Sequence, residues 1–275
     1  MLIKRIVTGI IGIITTVYIV NYGGPIFSGA VMLCAMIGWH ELCKAFKHID
    51  TKLWYGFGMI TVAFVLGCAW IGNSRETIAV ITIATLMVFA KVVLDHKKFT
   101  IHSAAMTVSG ILYIGLSFAH LILLRFTDTT IMLETNFGTI SAGCALIWVA
   151  FIGTWASDTF AFFVGSKLGK HKLCPNISPG KTVEGFTGGM IGTVLALVGL
   201  AYLFHFSIVH MVILGILIAG VATIGDLVES SFKRLTGIKD SGQILPGHGG
   251  VLDRFDSIMF TVPLVYYYIH IFKLY

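Results

Sequence analysis

The sequence I-V-H-M-V-I-L-G-I-L-I-A-G-V-A-T-I-G-D-L-V, residues 208–228, is apolar except for His210, Thr223 and Asp226. A run of this length predicts one membrane-spanning helix, because about 20 helical residues cross the hydrocarbon core of a bilayer. Similar runs predict nine helices in all, over residues 6–22, 26–43, 54–71, 77–94, 104–124, 142–164, 188–204, 208–228 and 258–274. We therefore expect an all-α integral membrane protein, with residues 1–275 forming a single polytopic bundle.

The composition excludes an ordinary soluble domain, because 56% of the residues are hydrophobic and only 12% are charged. The formal net charge of +6 would suggest nucleic acid binding in a soluble protein. Here the basic residues lie in particular loops between apolar runs, as membrane topology and anionic lipid headgroups both require. We expect membrane lipids as partners and no nucleic acid.

The distribution of basic residues predicts the orientation of the helices. If the N-terminus is cytoplasmic, the outside loops hold only Arg75, Arg125 and Lys273, and the C-terminus lies outside. The count depends on residues 23–25 and 205–207, which could be tight turns or kinks within longer helices. Residues 1–125 form the N-terminal helices, and residues 142–275 a catalytic half with cytoplasmic loops 165–187 and 229–257.

Charged residues cluster between residues 224 and 256, on both sides of a glycine-rich turn. Asp226, Glu229, Ser230 and Lys233 share one helix face if the eighth helix continues to Arg234. A second acidic cluster comes just before the ninth helix, so both should meet at one membrane face. Hard oxygen ligands beside basic groups favour magnesium and a polyphosphate. The alternative is a set of ion pairs that join helix ends.

Two glycine-containing segments predict phosphate binding. The turn L-P-G-H-G-G, residues 245–250, can present backbone N–H groups to phosphate oxygens. The segment S-P-G-K-T-V-E-G, residues 178–185, contains Gly-Lys-Thr but is no P-loop, because Pro175 stands where that motif needs glycine and no β-strand is expected before it. Lys181 remains a candidate for binding phosphate.

Several of these motifs resemble the phosphatidate cytidylyltransferase (CDP-diacylglycerol synthase) family. They are Ser230-x-Phe232-Lys233-Arg234, Lys239-Asp240, His248-Gly249-Gly250-x-x-Asp253-Arg254-x-Asp256, Ser157-Asp158-Thr159-x-Ala161 and Ser178-Pro179-x-Lys181-Thr182-x-Glu184-Gly185. The resemblance covers roughly the C-terminal half of the chain. Phe162 departs from it, since the family favours tyrosine there, and a hydroxyl role at that position is therefore absent.

The resemblance implies a nucleotidyltransferase that makes CDP-diacylglycerol and pyrophosphate from CTP and phosphatidic acid. A phosphate oxygen of the lipid would attack the α-phosphorus of CTP. The resemblance implies magnesium as the cofactor and allows a second cation. The implied catalytic residues are Asp226, Lys233, Lys239, Asp240, His248 and Asp253. The implied substrate-binding residues are Ser178, Lys181, Thr182, Glu184, Ser230, Arg234, Gly249, Gly250 and Arg254. The implied metal ligands are Asp226 and Asp253, with Glu229, Asp256 and Asp158 as further candidates.

Two other functions fit the sequence less well. A CTP-dependent polyprenol or dolichol kinase needs similar chemistry but would release CDP. An ion-coupled transporter could use Asp158, Asp226 and Asp253, but it gives no reason for the basic glycine-rich loop. His248 could be a general acid or could hold the loop through a hydrogen bond. We expect a multi-pass protein of the cell membrane whose active site faces the cytoplasm. The sequence is compatible with a homodimer.

Overall fold

The computed structural model describes residues 2–135, 138–244 and 249–273, with the backbone alone for residues 2–6. Helices dominate it, and two short β-hairpins interrupt them. The N-terminal helices are α1 (Leu2–Tyr22), α2 (Gly24–Lys47), α3 (Tyr55–Ile71), α4 (Ser74–Leu94), α5 (Ile101–Gly110), a π-helical segment (Ile111–Leu116) and α6 (Ser117–Arg125). The remaining elements are β1 (Met132–Thr135), β2 (Gly138–Ser141), α7 (Ala142–Leu168), β3 (Lys172–Cys174), β4 (Ser178–Thr182), α8 (Val183–Phe204), α9 (Ile208–Thr236), α10 (Leu252–Phe255) and α11 (Ile258–Phe272).

The helical class is confirmed. Six helices of the described chain are long and apolar enough to cross a membrane: α2, α4, the continuous stretch Ile101–Arg125, α7, α8 and α9. Three shorter apolar helices lie at Val7–Tyr22, Tyr55–Ile71 and Ile258–Phe272. Nine membrane crossings and the orientation of the termini stay predictions.

Both connections that the sequence left open are short breaks between separate helices. Gly23 alone separates α1 from α2, with φ of 68°, and Pro25 follows in the first turn of α2. Proline suits this position, because N–H groups in the first turn have no acceptor within the helix and proline lacks an N–H group. At the second connection His205 ends α8 in the left-handed region, with φ of 56°.

The loops are more ordered than the sequence indicated. β1 and β2 form an antiparallel hairpin that pairs Met132 with Ser141. β3 and β4 form another, in which Lys172 pairs with Thr182. Hairpins this short and polar lack an alternating apolar pattern, so the sequence gives little sign of them.

Two helix boundaries differ from the prediction by five residues or more. α9 runs to Thr236, eight residues past the predicted end at 228, so Ser230, Lys233 and Arg234 are helical. α8 begins at Val183, five residues before the predicted start, because the Thr182 hydroxyl accepts a hydrogen bond from the Gly185 N–H at 3.1 Å and caps the helix. Hydropathy marks where the apolar residues stop. The ends of a helix depend in addition on capping hydrogen bonds and on polar residues that continue the helix.

The chain divides into two compact units. Unit 1 comprises Met1–Leu123 and Lys233–Arg254, and unit 2 comprises Leu124–Phe232 and Phe255–Tyr275. In unit 1, Trp39 of α2 is fully buried and packs where Gly58 and Gly110 leave room for its ring. In unit 2, α7 packs closely along α8, and the glycines Gly188, Gly189 and Gly192 face side chains or backbone of α7. Those glycines therefore pack within the chain.

Candidate active site

A cavity of about 440 Å³ lies in unit 2 among α7, the β3–β4 hairpin, α8 and α9. Its size is within the ordinary range for small-molecule sites. Five of the residues singled out from the sequence line it: Asp158, Ser178, Lys181, Thr182 and Asp226. Phe162, the position that departs from the family pattern, also lines it. The cavity thus brings together residues 68 positions apart in the chain.

An ion pair crosses this cavity. The Lys181 ammonium lies 2.6 Å from Oδ2 of Asp226, and both side chains keep partial contact with solvent, at 23% and 34% exposure. The Ser230 hydroxyl donates to Oδ1 of the same aspartate at 3.3 Å, one helical turn further along α9. Asp226 therefore has a fixed orientation, and the predicted spacing of residues 226 and 230 on one helix face is confirmed.

The β3–β4 hairpin is anchored to the start of α8 by Glu184. Its carboxyl group accepts hydrogen bonds from the backbone N–H groups of Lys170, at 3.0 Å, and His171, at 3.2 Å. It also contacts Nδ1 of His171 at 2.6 Å. Glu184 does not line the cavity, and Thr182 uses its hydroxyl to cap α8. Both residues hold the segment that presents Lys181, and their predicted contact with substrate stays a prediction.

Close helix contact also shapes this cavity. A Cβ atom on Gly185 would come within 2.9 Å of the backbone oxygen of Ala161, and within 3.1 Å of the Gly165 Cα. Real side chains do not approach backbone atoms so closely. Glycine at position 185 therefore lets α7 and α8 approach each other at the cavity wall.

A second polar cluster lies in unit 1, around Asp253. Oδ1 of Asp253 accepts a hydrogen bond from the Lys233 ammonium at 3.1 Å. Oδ2 accepts three, from the backbone N–H and hydroxyl of Ser241, both at 2.9 Å, and from the Gly250 N–H at 2.7 Å. The Asp253 side chain is only 6% exposed. Asp253 thus joins Ser241 to the turn at residues 249–252, where α10 begins.

Glu41 of α2 contacts the same turn, and it was not among the residues predicted from the sequence. Its carboxyl group accepts hydrogen bonds from the N–H groups of Val251, at 3.0 Å, and Leu252, at 2.9 Å, and from the Ser241 hydroxyl at 3.3 Å. Glu41 is 1% exposed. The available signal was an acidic residue inside the apolar run 26–43, where a carboxyl group is costly unless it has partners.

The glycines of this turn are required by their surroundings. Gly249 has φ of 85°, which disfavours other residues, and a Cβ on it would meet the Asp253 carboxyl group. A Cβ on Gly250 would overlap the Ser241 hydroxyl and the Glu41 carboxyl group. The groups that these two glycines approach belong to the protein, and the predicted binding of phosphate by their N–H groups stays a prediction.

The other predicted site residues are distributed as follows. Glu229 lies one turn after Asp226 in α9 and is 4% exposed. Oδ1 of Asp256 accepts a hydrogen bond from the Ser257 N–H at 2.7 Å, and its backbone oxygen packs against Gly225. The exposed members are Arg234, Lys239, Asp240 and Arg254, and His248 lies outside the described residues. Asp226 belongs to unit 2 and Asp253 to unit 1, so their meeting at one membrane face stays a prediction.

The unit 2 cavity has oxygen ligands that suit magnesium. Across the described residues, no three Asp, Glu, His or Cys side chains are grouped closely enough to form a metal site by themselves. Magnesium, however, is commonly held by one or two carboxylates together with substrate phosphates. Asp158 and Asp226 provide two carboxyl groups in one cavity, and these residues fit that mode of binding.

Known proteins match this chain over nearly its whole length. The sequence profile of the cytidylyltransferase family matches residues 3–272. The chain belongs to the cytidylyltransferase family. Similar relatives are the phosphatidate cytidylyltransferases of Staphylococcus aureus (strain COL), 33% identical over 270 residues, and of Staphylococcus saprophyticus, 35% identical over 272 residues. In both cases the alignment covers 95% of this chain and 96% of the relative.

Membership makes this protein a nucleotidyltransferase and confirms the resemblance drawn from the motifs. The match extends through the N-terminal helices of the cytidylyltransferase, where sequence inspection found only apolar character. Together with its apolar helices, it identifies a multi-pass membrane enzyme.

Proposed function

We propose that this cytidylyltransferase makes CDP-diacylglycerol and pyrophosphate from CTP and phosphatidic acid. The names of its relatives supply the substrates, since those proteins are phosphatidate cytidylyltransferases. The structural observation that carries the proposal is the Lys181–Asp226 pair in the unit 2 cavity. In one cavity, the cation can contact the phosphates of a nucleotide, and the carboxyl group can hold the metal ion bound to those phosphates.

The reaction needs no protein nucleophile. A phosphate oxygen of phosphatidic acid forms a bond to the α-phosphorus of CTP, while the bond from that phosphorus to the bridging oxygen of pyrophosphate breaks. The attacking phosphate is already an anion at neutral pH, so the protein must mainly bring two polyanions together and offset their repulsion. Lys181 is the cation in the cavity that can take this role.

Asp226 and Asp158 would hold magnesium, and magnesium would offset charge on the phosphates and the leaving group. Ser230 orients Asp226 through its hydrogen bond, so that carboxyl group is positioned before substrate enters. Lys181 would exchange its contact with Asp226 for one with a phosphate, leaving that carboxyl group available to the metal. The phosphate contacts that the family resemblance implies for Lys233, Lys239 and Arg254, which belong to unit 1, stay a prediction.

Lipid and nucleotide determine where the reaction occurs. The acyl chains of phosphatidic acid stay among the helices, and CTP arrives from the cytoplasm. The excess of Lys and Arg in alternate loops supports nine crossings with a cytoplasmic N-terminus, which puts the β3–β4 hairpin on the cytoplasmic side.

The decisive experiment uses the full-length protein purified in detergent, with phosphatidic acid, magnesium and CTP labelled at the α-phosphate. We expect label in the lipid phase and release of pyrophosphate in equal amounts. Asp226→Asn should reduce the rate at least a hundredfold, because it removes both the metal ligand and the partner of Lys181. Asp128→Asn is the matched control, since Asp128 is exposed and its left-handed backbone, with φ of 45°, suits asparagine.

The products separate this proposal from its competitors. Release of CDP with phosphorylation of a lipid alcohol would show a lipid kinase instead. If the protein consumes no CTP but moves ions into sealed vesicles, it is a transporter. If Asp226→Asn keeps full activity, the catalytic role of the unit 2 cavity is refuted even if the overall reaction is correct.

A further inference from the structure

A groove runs between α2 and α3 in unit 1, and its end nearest the α2–α3 connection is basic. A cavity of about 650 Å³ there is lined by His40, Lys44, Lys47, Lys52 and Tyr55, among others. Among the described residues that line it none is acidic. The three lysines form no ion pair with any described residue.

The other end of the groove is apolar. A cavity of about 360 Å³ is lined there by Met36 of α2 and by residues of α3 that include Ile60, Phe64, Gly67 and Ile71. The side chains of Ile60, Phe64 and Ile71 are 58%, 61% and 77% exposed. An aqueous surface would not favour so much exposed apolar area in one groove, whereas a lipid bilayer would.

The two cavities follow one line along the helix pair. On α2, Met36, His40, Lys44 and Lys47 recur every three or four residues and therefore share a face. On α3, the lining residues run at the same spacing from Tyr55 to Ile71. The His40 imidazole Nδ1 lies 3.2 Å from the Tyr55 hydroxyl, a contact that joins the helices between the basic and apolar parts.

We propose that this groove binds an anionic phospholipid, with its phosphate headgroup among the three lysines and an acyl chain between α2 and α3. The apolar part extends along α3 from Met59 to Ile71, which is about 18 Å at 1.5 Å per residue. One leaflet of the hydrocarbon core is about 15 Å thick, so an acyl chain fits this length. Lysines at a membrane surface attract anionic lipids.

Topology alone explains lysines near the end of a helix, and two of these lie in the last turn of α2. It does not explain why they border a cavity whose lining lies on the same faces of α2 and α3 as that of the apolar cavity. The site is separate from the catalytic cavity, whose lining comes entirely from unit 2. The proposal depends on membrane insertion and not on the proposed reaction.

The test measures binding of dioleoyl phosphatidylglycerol to the purified full-length protein by native mass spectrometry. This lipid is anionic and is not a substrate of the proposed reaction. Dioleoyl phosphatidylcholine, with the same acyl chains and no net charge, serves as the comparison. We expect binding of phosphatidylglycerol at least tenfold tighter than binding of phosphatidylcholine.

Two variants examine the two ends of the groove. Lys44→Gln/Lys47→Gln should weaken binding of phosphatidylglycerol about tenfold to thirtyfold, because each lysine near a membrane surface contributes roughly fivefold. Lys97→Gln/Lys98→Gln removes the same charge from the exposed loop after α4 and should change binding less than twofold. Gly67→Leu fills the apolar part from a position with no heavy atom within 4 Å of its Cβ, and should weaken binding at least threefold.

Several results would overturn the proposal. An equal loss of phosphatidylglycerol binding in Lys44→Gln/Lys47→Gln and in Lys97→Gln/Lys98→Gln would mean that the net charge of the protein alone attracts the lipid. Unchanged binding in Lys44→Gln/Lys47→Gln would mean that the headgroup does not bind among the lysines. Unchanged binding in Gly67→Leu would mean that no acyl chain lies in the apolar part of the groove. Displacement of the lipid by millimolar inorganic phosphate would show a site for free anions rather than for a phospholipid.

Discussion

Replacing Glu41 with alanine would leave two buried N–H groups, those of Val251 and Leu252, without the oxygen atoms that now accept their hydrogen bonds. A buried polar group left without a partner costs about 1–3 kcal/mol. Two such groups give about 2–6 kcal/mol for the turn between α9 and α10, with the lower value applying if water enters the vacated space. We therefore expect the turn to open more easily in Glu41→Ala.

Hydrogen exchange measures this opening directly. Amides that exchange through local opening report its free energy, so a loss of about 2 kcal/mol corresponds to exchange about thirtyfold faster. The amides of Val251 and Leu252 should show this change, and that of Ser241 should follow because its hydroxyl contacts Glu41 as well as Asp253. Amides in the middle of α8, in the other unit, should keep their rates.

Glu41→Gln separates the role of the acceptor oxygens from that of the side-chain volume. Glutamine keeps one acceptor oxygen but turns an NH₂ group toward either Val251 or Leu252, so faster exchange is expected at one of the two amides. Glu134→Gln is the matched control, since Glu134 is exposed on β1. Unchanged exchange at both amides in a folded Glu41→Ala protein would refute the reasoning.

Three further outcomes test the unit 2 site and its surroundings. Ser230→Ala removes the hydroxyl that donates a hydrogen bond to Asp226. We expect kcat/KM in the labelled-CTP assay to fall about twofold to tenfold, as for the loss of one hydrogen bond. An unchanged kcat/KM would mean that this bond does not position Asp226. Gly185→Ala forces a Cβ toward the backbone of α7 and should destabilise the protein by about 1–3 kcal/mol in thermal unfolding, whereas Gly199→Ala, in open space on α8, should not; equal effects would refute the close-packing argument. Chelation by EDTA should abolish product formation and added magnesium should restore it, while activity that persists in EDTA would exclude the proposed metal role.

The sequence predicts the helices well because apolar runs report burial in lipid or protein directly. It predicts their ends poorly where other interactions decide. α9 continues past its apolar part to Thr236 through polar residues that hydropathy does not mark, and α8 starts early because Thr182 caps it. The hairpin at β3 and β4 depends on Glu184 holding the N–H groups of residues 170 and 171, a contact across 13 residues that no local pattern reveals.

The candidate site was predicted in part. Lys181 and Asp226 were singled out by their chemistry and Asp158 by the family resemblance, and the structure puts all three around one cavity. The sequence could not show that Lys181 pairs directly with Asp226, since the two residues lie 45 positions apart. It also could not show that both oxygens of Asp253 already accept hydrogen bonds from within unit 1.

Glu41 changes what the N-terminal helices are expected to do. A carboxyl group on α2 accepts hydrogen bonds from a turn about 200 residues later in the chain, so the shape of that turn depends on α2 being present. The same turn contains Gly250 and Asp253, to which the family resemblance assigns substrate and metal roles. The C-terminal half alone would lack the oxygen atoms that accept the Val251 and Leu252 N–H groups. The N-terminal helices therefore support the segment that carries these residues, and the family match extends over those helices as well.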